Sequence, residues 1–206
     1  MTAVYDVVAL GELLIDFTPA GKSASGSALF ECNPGGAPAN VLACLAGLGK
    51  RTSFIGKVGD DQFGHYLHRV LNEQGISTEG LVLDREANTT LAFVHLGPDG
   101  DRSFSFHRKP GADTRLRSEE LQESLFNARI FHFGSLSLTH EPARSATLEA
   151  LRLAKDKNLL ISYDPNLRPP LWADLAEAKA QILAVMDQVD VVKLSGEELE
   201  FLVDSK

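Results

Sequence analysis

The sequence is poor in cysteine, with only Cys32 and Cys44. Two thiols are too few for a disulfide framework or a four-ligand zinc site, which predicts a reducing compartment, with the cytoplasm fitting best. Long apolar runs are also missing. No stretch approaches the roughly 20 uninterrupted apolar residues of a membrane span, so no contact with a bilayer is expected. The N-terminal "MTAVYDVVALGELLIDF" has no basic leading segment and is broken by Asp6 and Glu12, so it reads as strands rather than a signal peptide. Basic blocks are absent as well: the formal net charge of −8 is spread along the chain, which argues against nucleic acid as a partner. There is no G-x-S-x-G elbow, no internal repeat and no low-complexity linker. "GLGKRTS" lacks the Ser or Thr that a phosphate-binding P-loop needs after its lysine, and reads as a helix stop. His65 and His68 can share a helix face but have no evident third ligand, and read as a solvated pair. What remains is a 206-residue chain, 44% hydrophobic, long enough for one well-filled domain or one with a small appendage.

Hydrophobic patterning predicts strands at 4–10 and 13–18, then a helix from Pro38 to Leu48. Pro38 suits the first helical turn and Gly49 the stop. A strand "RTSFIGKV" and a helix from about Asp61 to Glu73 follow. Between 78 and 108 the short runs "GLVLD", "TTLAFVHL" and "RSFSFH" predict a hairpin-rich insert, the last two joined by the turn "GPDGD". Alternation resumes with strand "RIFHFGS", a helix near 141–156, strand "LLISYD", a helix near 172–186, strand "DVVKL" and a helix opening at Ser195. The expected fold is therefore α/β, a doubly wound, mostly parallel sheet, which binds ligands beyond the carboxyl ends of its strands. Asp16, Gly35, Gly36, Gly134, Asp164 and Lys193 all fall at or near such ends.

The stretch "NPGGAPANVLACLAGLG" places adjacent glycines and an asparagine at the start of a predicted helix. Glycines there admit a ligand close to the backbone, and free helical N–H groups favour polar or anionic atoms. Asn40 adds an amide one turn in, and a carboxylate such as Asp16 accepts hydrogen bonds from two hydroxyls. Together they suit a polyhydroxylated ligand, a sugar. The alternative is a plain tight turn with Asn40 in solvent.

"GGAPAN" resembles the G-G-x-x-x-N sugar-binding signature of the ribokinase, or PfkB, family of carbohydrate kinases. "ALGELLIDF", "FIGKVGDDQFGHYL", "FHRKPGAD", "DPNLRPPLW" and "VVKLSGEELEFL" resemble fructokinase-type members in the same order, and the likeness runs from Val4 to Leu202. "DPNLRPPLW" resembles the fructokinase and 2-keto-3-deoxygluconate kinase branch. The resemblance implies a ribokinase-like αβα domain over 1–206 with a small β lid from about 12–33 and 88–108, through which a homodimer would form. It implies sugar contacts by Asp16, Gly35, Gly36 and Asn40, with Phe106 and Arg108 closing over the substrate from the lid. Arg168 is implied near the sugar or the transferring phosphoryl group, as the catalytic cation. Asn166 and Lys193 would face the phosphates of ATP, and Glu198 would meet Mg2+ through water. Each has a plainer alternative: packing and surface charge for Phe106 and Arg108, a solvated ammonium for Lys193, and a capping box with Ser195 for Glu198.

The chain departs from the family in one respect. The G-A-G-D motif, which supplies the base and the anion-holding N–H groups, is absent, and Gly111-Ala112-Asp113 matches the separate "PGAD" segment instead. The expected Asp base therefore lies beyond Lys206, as do the residues that would cover adenine. The reading is an incomplete domain lacking the C-terminal part of the fold. It is taken as a piece of an ATP-dependent fructokinase that alone would not turn over. The alternatives are 2-keto-3-deoxygluconate kinase, whose carboxylate Arg108 and Arg168 would bind, or a non-catalytic sugar-binding protein.

Overall fold

The computed structural model describes residues 4–97 and 102–203. Six strands form a parallel sheet: β1 (Tyr5–Leu10), β4 (Thr52–Gly59), β5 (Ile76–Asp84), β8 (Ala128–Gly134), β9 (Leu160–Asp164) and β10 (Val191–Val192), in the order β10-β9-β8-β1-β4-β5. A second, four-stranded sheet contains β2 (Leu14–Lys22), β3 (Ala28–Gly35), β6 (Leu91–Leu96) and β7 (Arg102–His107), in the order β3-β2-β6-β7. Helices α1 (Ala37–Gly47), α2 (Gln62–Glu73), α3 (Ala143–Asp156), α4 (Leu175–Ala184) and α5 (Gly196–Leu202) complete the fold. The mostly parallel α/β architecture read from the sequence is present.

Both faces of the six-stranded sheet are covered, so its strands are apolar throughout rather than alternating. On β1, Val7 and Ala9 pack with Leu42 of α1 and Leu67 and Leu71 of α2, while Val8 and Leu10 belong to the opposite core with α3 and α4. That second core holds a stack of Phe131, Phe133 and Tyr163, with centroids 5.6 and 4.5 Å apart. Trp172, the only tryptophan in the sequence, is buried at the edge of this core. Its indole N–H finds no acceptor among the described residues.

The expectation for residues 78–108 needs correction. "GLVLD" does not join the hairpins; it is the second half of β5, which pairs in parallel with β4 and forms an edge of the large sheet. Its burial recurs at Ile76, Gly80 and Asp84, the half-covered pattern of an edge strand, which from sequence resembles a hairpin strand. The turn expected at "GPDGD" lies largely outside the described residues. β10 is shorter than "DVVKL", with Val191 and Val192 both exposed.

The chain leaves β1 for β4 on one side, whereas β8 lies on the other, so the strand order reverses between β1 and β8. At such a reversal the loops beyond the strands diverge and open a crevice. Three residues, Gly11 to Leu13, carry the chain from the large sheet into β2 of the small one.

Candidate functional site

A cleft of about 480 Å³ opens at that reversal, between the carboxyl ends of β1, β8 and β9 and one face of the small sheet. β2 pairs with β3 and β6, and β6 with β7, so Asp16, Ala92 and Phe106 stand in one row across the sheet. The period of two along β2 brings Leu14, Asp16 and Thr18 to the cleft together, with Val94 of β6 and Phe104 and Phe106 of β7. From the large sheet come Glu12 after β1, Leu136 after β8, and Asn166 and Arg168 after β9. Gly36, Ala37 and Asn40 supply the third wall from the start of α1.

The glycine pair has separate tasks. A Cβ on Gly35 would overlap the Asp16 carboxylate, so Gly35 leaves that carboxylate room beside the strand. Gly36 has φ 114°, and a Cβ there would strike the carbonyl oxygen of Glu12. The N–H of Ala37 donates to Glu12 Oε1 at 2.8 Å, and α1 continues with Asn40, whose side chain is exposed toward the cleft. Pro38 falls in the first turn, where its missing N–H leaves no hydrogen bond unmade.

Charge is unevenly satisfied around this cleft. Asp16 is half-buried, and no hydrogen-bond donor reaches its carboxylate among the described residues. Burial raises its pKa, and Arg168 opposes the rise. Glu12 was legible in the sequence only as a break in an apolar run, yet it is buried at 4% exposure and lines the cleft. Its carboxyl is pushed up to about 7 by burial, against the pull of the Ala37 N–H. The available signal was a carboxylate inside "VVALGELLI", which an apolar strand would not carry without purpose. Leu14, Thr18, Val94, Phe104 and Leu136 were likewise unmarked, because a cleft wall made by strand pairing is not visible before the pairing is known.

Arg108 is not brought into this lining. Its guanidinium donates to Asp113 Oδ2 from Nε at 2.7 Å, to Thr139 Oγ1 at 2.9 Å and to the Leu136 carbonyl at 2.9 Å. Asp113 in turn accepts from Thr90 Oγ1 at 2.5 Å. The expectation that Arg108 closes over a substrate therefore meets a buried, fully engaged ion pair. Phe106, its neighbour on β7, does face the cleft.

Asn166 has a left-handed backbone, φ 47°, and its N–H donates to Asp164 Oδ1 at 3.1 Å. Lys193 follows β10 beside it, outside the cleft lining, with its exposed ammonium 3.2 Å from Asp164 Oδ2. An amide and an ammonium at adjacent strand ends form a donor set suited to phosphate oxygens. Glu198 makes its hydrogen bonds to backbone rather than to either side chain. Ser195 caps α5 by accepting the Glu198 N–H at 3.1 Å, while Glu198 Oε2 accepts the Ser195 N–H at 2.8 Å, the capping box foreseen as the alternative. Its Oε1 accepts the N–H of Leu167 at 2.7 Å. These N–H groups and Lys193 outweigh burial and hold the carboxyl below its ordinary range. Among the described residues no group of three His, Cys, Asp or Glu side chains is placed to hold a metal ion. His65 pairs with Asp60 at 3.0 Å and His68 with Thr78 Oγ1 at 3.2 Å, so the two imidazoles have separate partners. No helix among the described residues is long and apolar enough to cross a membrane.

The chain has counterparts among known proteins. Over 199 residues the chain is 50% identical to fructokinase-1 of Oryza sativa subsp. japonica, covering 95% of this chain and 62% of that protein. The structure of a Xylella fastidiosa fructokinase with bound ATP superposes with a TM-score of 0.85 at 38% identity, covering 97% of this chain and 61% of that one. A Vibrio cholerae fructokinase with fructose, ADP and calcium bound gives a TM-score of 0.85 at 32% identity, covering 98% and 64%. The chain thus spans about three-fifths of the length of these relatives. The family model for pfkB family carbohydrate kinases matches residues 5–206, nearly the whole sequence, and with the αβα sheet and the glycine-lined cleft it shows that the chain belongs to the pfkB family of carbohydrate kinases.

Proposed function

We propose that the chain forms the sugar-binding part of an ATP-dependent fructokinase, which transfers a phosphoryl group to a primary hydroxyl of fructose. The observation that carries this reading is the meeting of Asp16, Asn40, Gly36 and Arg168 in one cleft walled by Phe104 and Phe106. Asp16, with no internal donor, accepts hydrogen bonds from two sugar hydroxyls; Asn40 offers both donor and acceptor to a third. Sugar hydroxyls thus satisfy polar groups that the fold leaves open. Gly35 and Gly36 make the space in which this occurs. Phe104 and Phe106 cover the apolar side of the ring and, with the small sheet as a lid, exclude water from the reacting hydroxyl. Arg168, between Asp16 and the nucleotide side, stabilises charge on the phosphoryl oxygens. ATP supplies the phosphoryl group when bound; Asn166 and Lys193 would hold its phosphates. Mg2+ would be held chiefly by those phosphates, as is usual for this ion.

The partners of Arg108 support fructose over the acidic alternative. Binding 2-keto-3-deoxygluconate through two arginines requires Arg108, and Arg108 is committed to Asp113, Thr139 and Leu136. A single arginine that already faces Asp16 suits a neutral ketose better. The face of the small sheet opposite the cleft, where Phe30 is exposed, is the surface through which we place a homodimer. The free, exposed Cys32 and Cys44 fit the reducing cytoplasm.

Calorimetric titration of the protein with fructose and with 2-keto-3-deoxygluconate, followed by assay for fructose phosphate with ATP and Mg2+, tests this reading. Binding of fructose and not of the acid is expected, with the phosphate formed only by a longer form that carries a G-A-G-D motif. Fructose binding without turnover in that longer form as well would favour the non-catalytic sugar-binding alternative. Preference for the acid, or no binding of either, would overturn the assignment.

A further inference from the structure

The loop that carries Asn166 and Arg168 is held from three directions. Asp164 Oδ1 accepts the Asn166 N–H at 3.1 Å, and the carbonyl of Pro165 accepts the Ser135 N–H at 3.0 Å and its hydroxyl at 2.5 Å. The third hold is Glu198. Its side chain crosses from the first turn of α5 to the N–H of Leu167, the residue before Arg168. Each carboxylate oxygen thus takes one backbone N–H, Leu167 on one side and Ser195 on the other.

We infer that Glu198 is a positioning residue for the sugar cleft: it ties the nucleotide-side helix α5 to the loop of Arg168 and fixes where that guanidinium stands. This inference rests on the sugar-cleft reading above. A carboxylate is needed because two N–H groups on separate segments must be accepted at once, and charged acceptors make the stronger bonds. A neutral amide offers only one acceptor oxygen and sets its NH2 against the other donor. Arg168 itself has little else to hold it, since its Nη1 donates only to the neighbouring Leu167 carbonyl at 3.1 Å. A role confined to a metal ion acts only when the ion and nucleotide are present; a brace acts on the sugar without them.

The test is fructose titration with neither nucleotide nor divalent cation, on wild-type, Glu198→Ala and Ser195→Ala. Glu198→Ala should weaken fructose binding about tenfold, the effect of losing one charged hydrogen bond's worth of positioning. Ser195→Ala removes the cap yet keeps both carboxylate bonds, so it should lower Tm while leaving fructose affinity unchanged. Hydrogen exchange at the Leu167 amide reads the brace without any sugar: Glu198→Ala should lose its protection and Ser195→Ala should retain it. Retained protection at Leu167 in Glu198→Ala would overturn the inference, as would unchanged fructose affinity there or an equal loss of affinity in Ser195→Ala. Wild-type protein that binds no fructose, with Leu167 protection lost in Glu198→Ala, would instead count against the fructose reading and leave the brace standing.

Discussion

Two arginine–aspartate pairs lie near the small sheet, and they are built to opposite ends. Arg108 and Asp113 are almost wholly buried, in contact at 2.7 Å, with Thr90, Thr139 and the Leu136 carbonyl filling the remaining positions. Arg168 and Asp16 face each other across an open cleft, where the aspartate has no donor and the arginine only its neighbour's carbonyl. The first arrangement compensates the cost of burying charge internally. The second leaves that compensation to whatever enters. The same two residue types therefore serve architecture in one place and recognition in the other, and the difference lies in their neighbours.

Breaking the closed pair should give the largest effect. Arg108→Met leaves Asp113 buried without its partner and is expected to cost about 3–5 kcal/mol of stability, measured by denaturant unfolding. A well-folded Arg108→Met protein that lost only sugar affinity would reverse the comparison. At the open pair the consequence should be inverted: Asp16→Asn should weaken fructose binding on the order of 100-fold, through loss of two charge-assisted hydrogen bonds. Its Tm should hold or rise slightly, because burial already disfavours the Asp16 charge. Normal affinity in that variant would remove Asp16 from the sugar site.

The third effect, read from pH dependence, concerns Glu12, beside the open pair. Its carboxyl titrates near 7 in the folded protein against an ordinary 4.5. Below 4.5 it is neutral in both states; between 4.5 and 7 the unfolded chain ionises first, so the folded state loses stability as pH rises. Glu12→Gln keeps an acceptor for the Ala37 N–H and removes that titration. Its Tm relative to wild-type should climb between about pH 4.5 and 7 and then level off. A pH-independent difference would show that Glu12 carries no such shift.

Much of this arrangement was readable from local signals. Pro38, Gly36 and Gly49 punctuate α1 because their constraints are intrinsic, and Ser195 with Glu198 marks the start of α5 for the same reason. β5 was misjudged since a half-covered edge strand and a hairpin strand share one pattern, and only pairing with β4 distinguishes them. Asp16 and Asn40 stood out by residue type beside bare glycine. Arg108 also stood out, but nothing in "FHRKPGAD" says that the aspartate five residues on turns back to take the guanidinium. Glu12 was passed over because its partner, the Ala37 N–H, comes from another segment of the chain. Long-range partners, not residue identities, were what the sequence withheld.

Trp172 gives the molecule a property unrelated to its chemistry. The one-turn helix Pro169–Leu171 is all that separates it from Arg168, and the sequence has no other indole. Its ring is packed in the core while its N–H remains without an acceptor. Excitation at the red edge of the ultraviolet absorption, where the three tyrosines do not absorb, therefore reports on a single indole, with no second one to average against. The loop that presents an arginine to the cleft can be followed by light, in unlabelled protein, from four residues away.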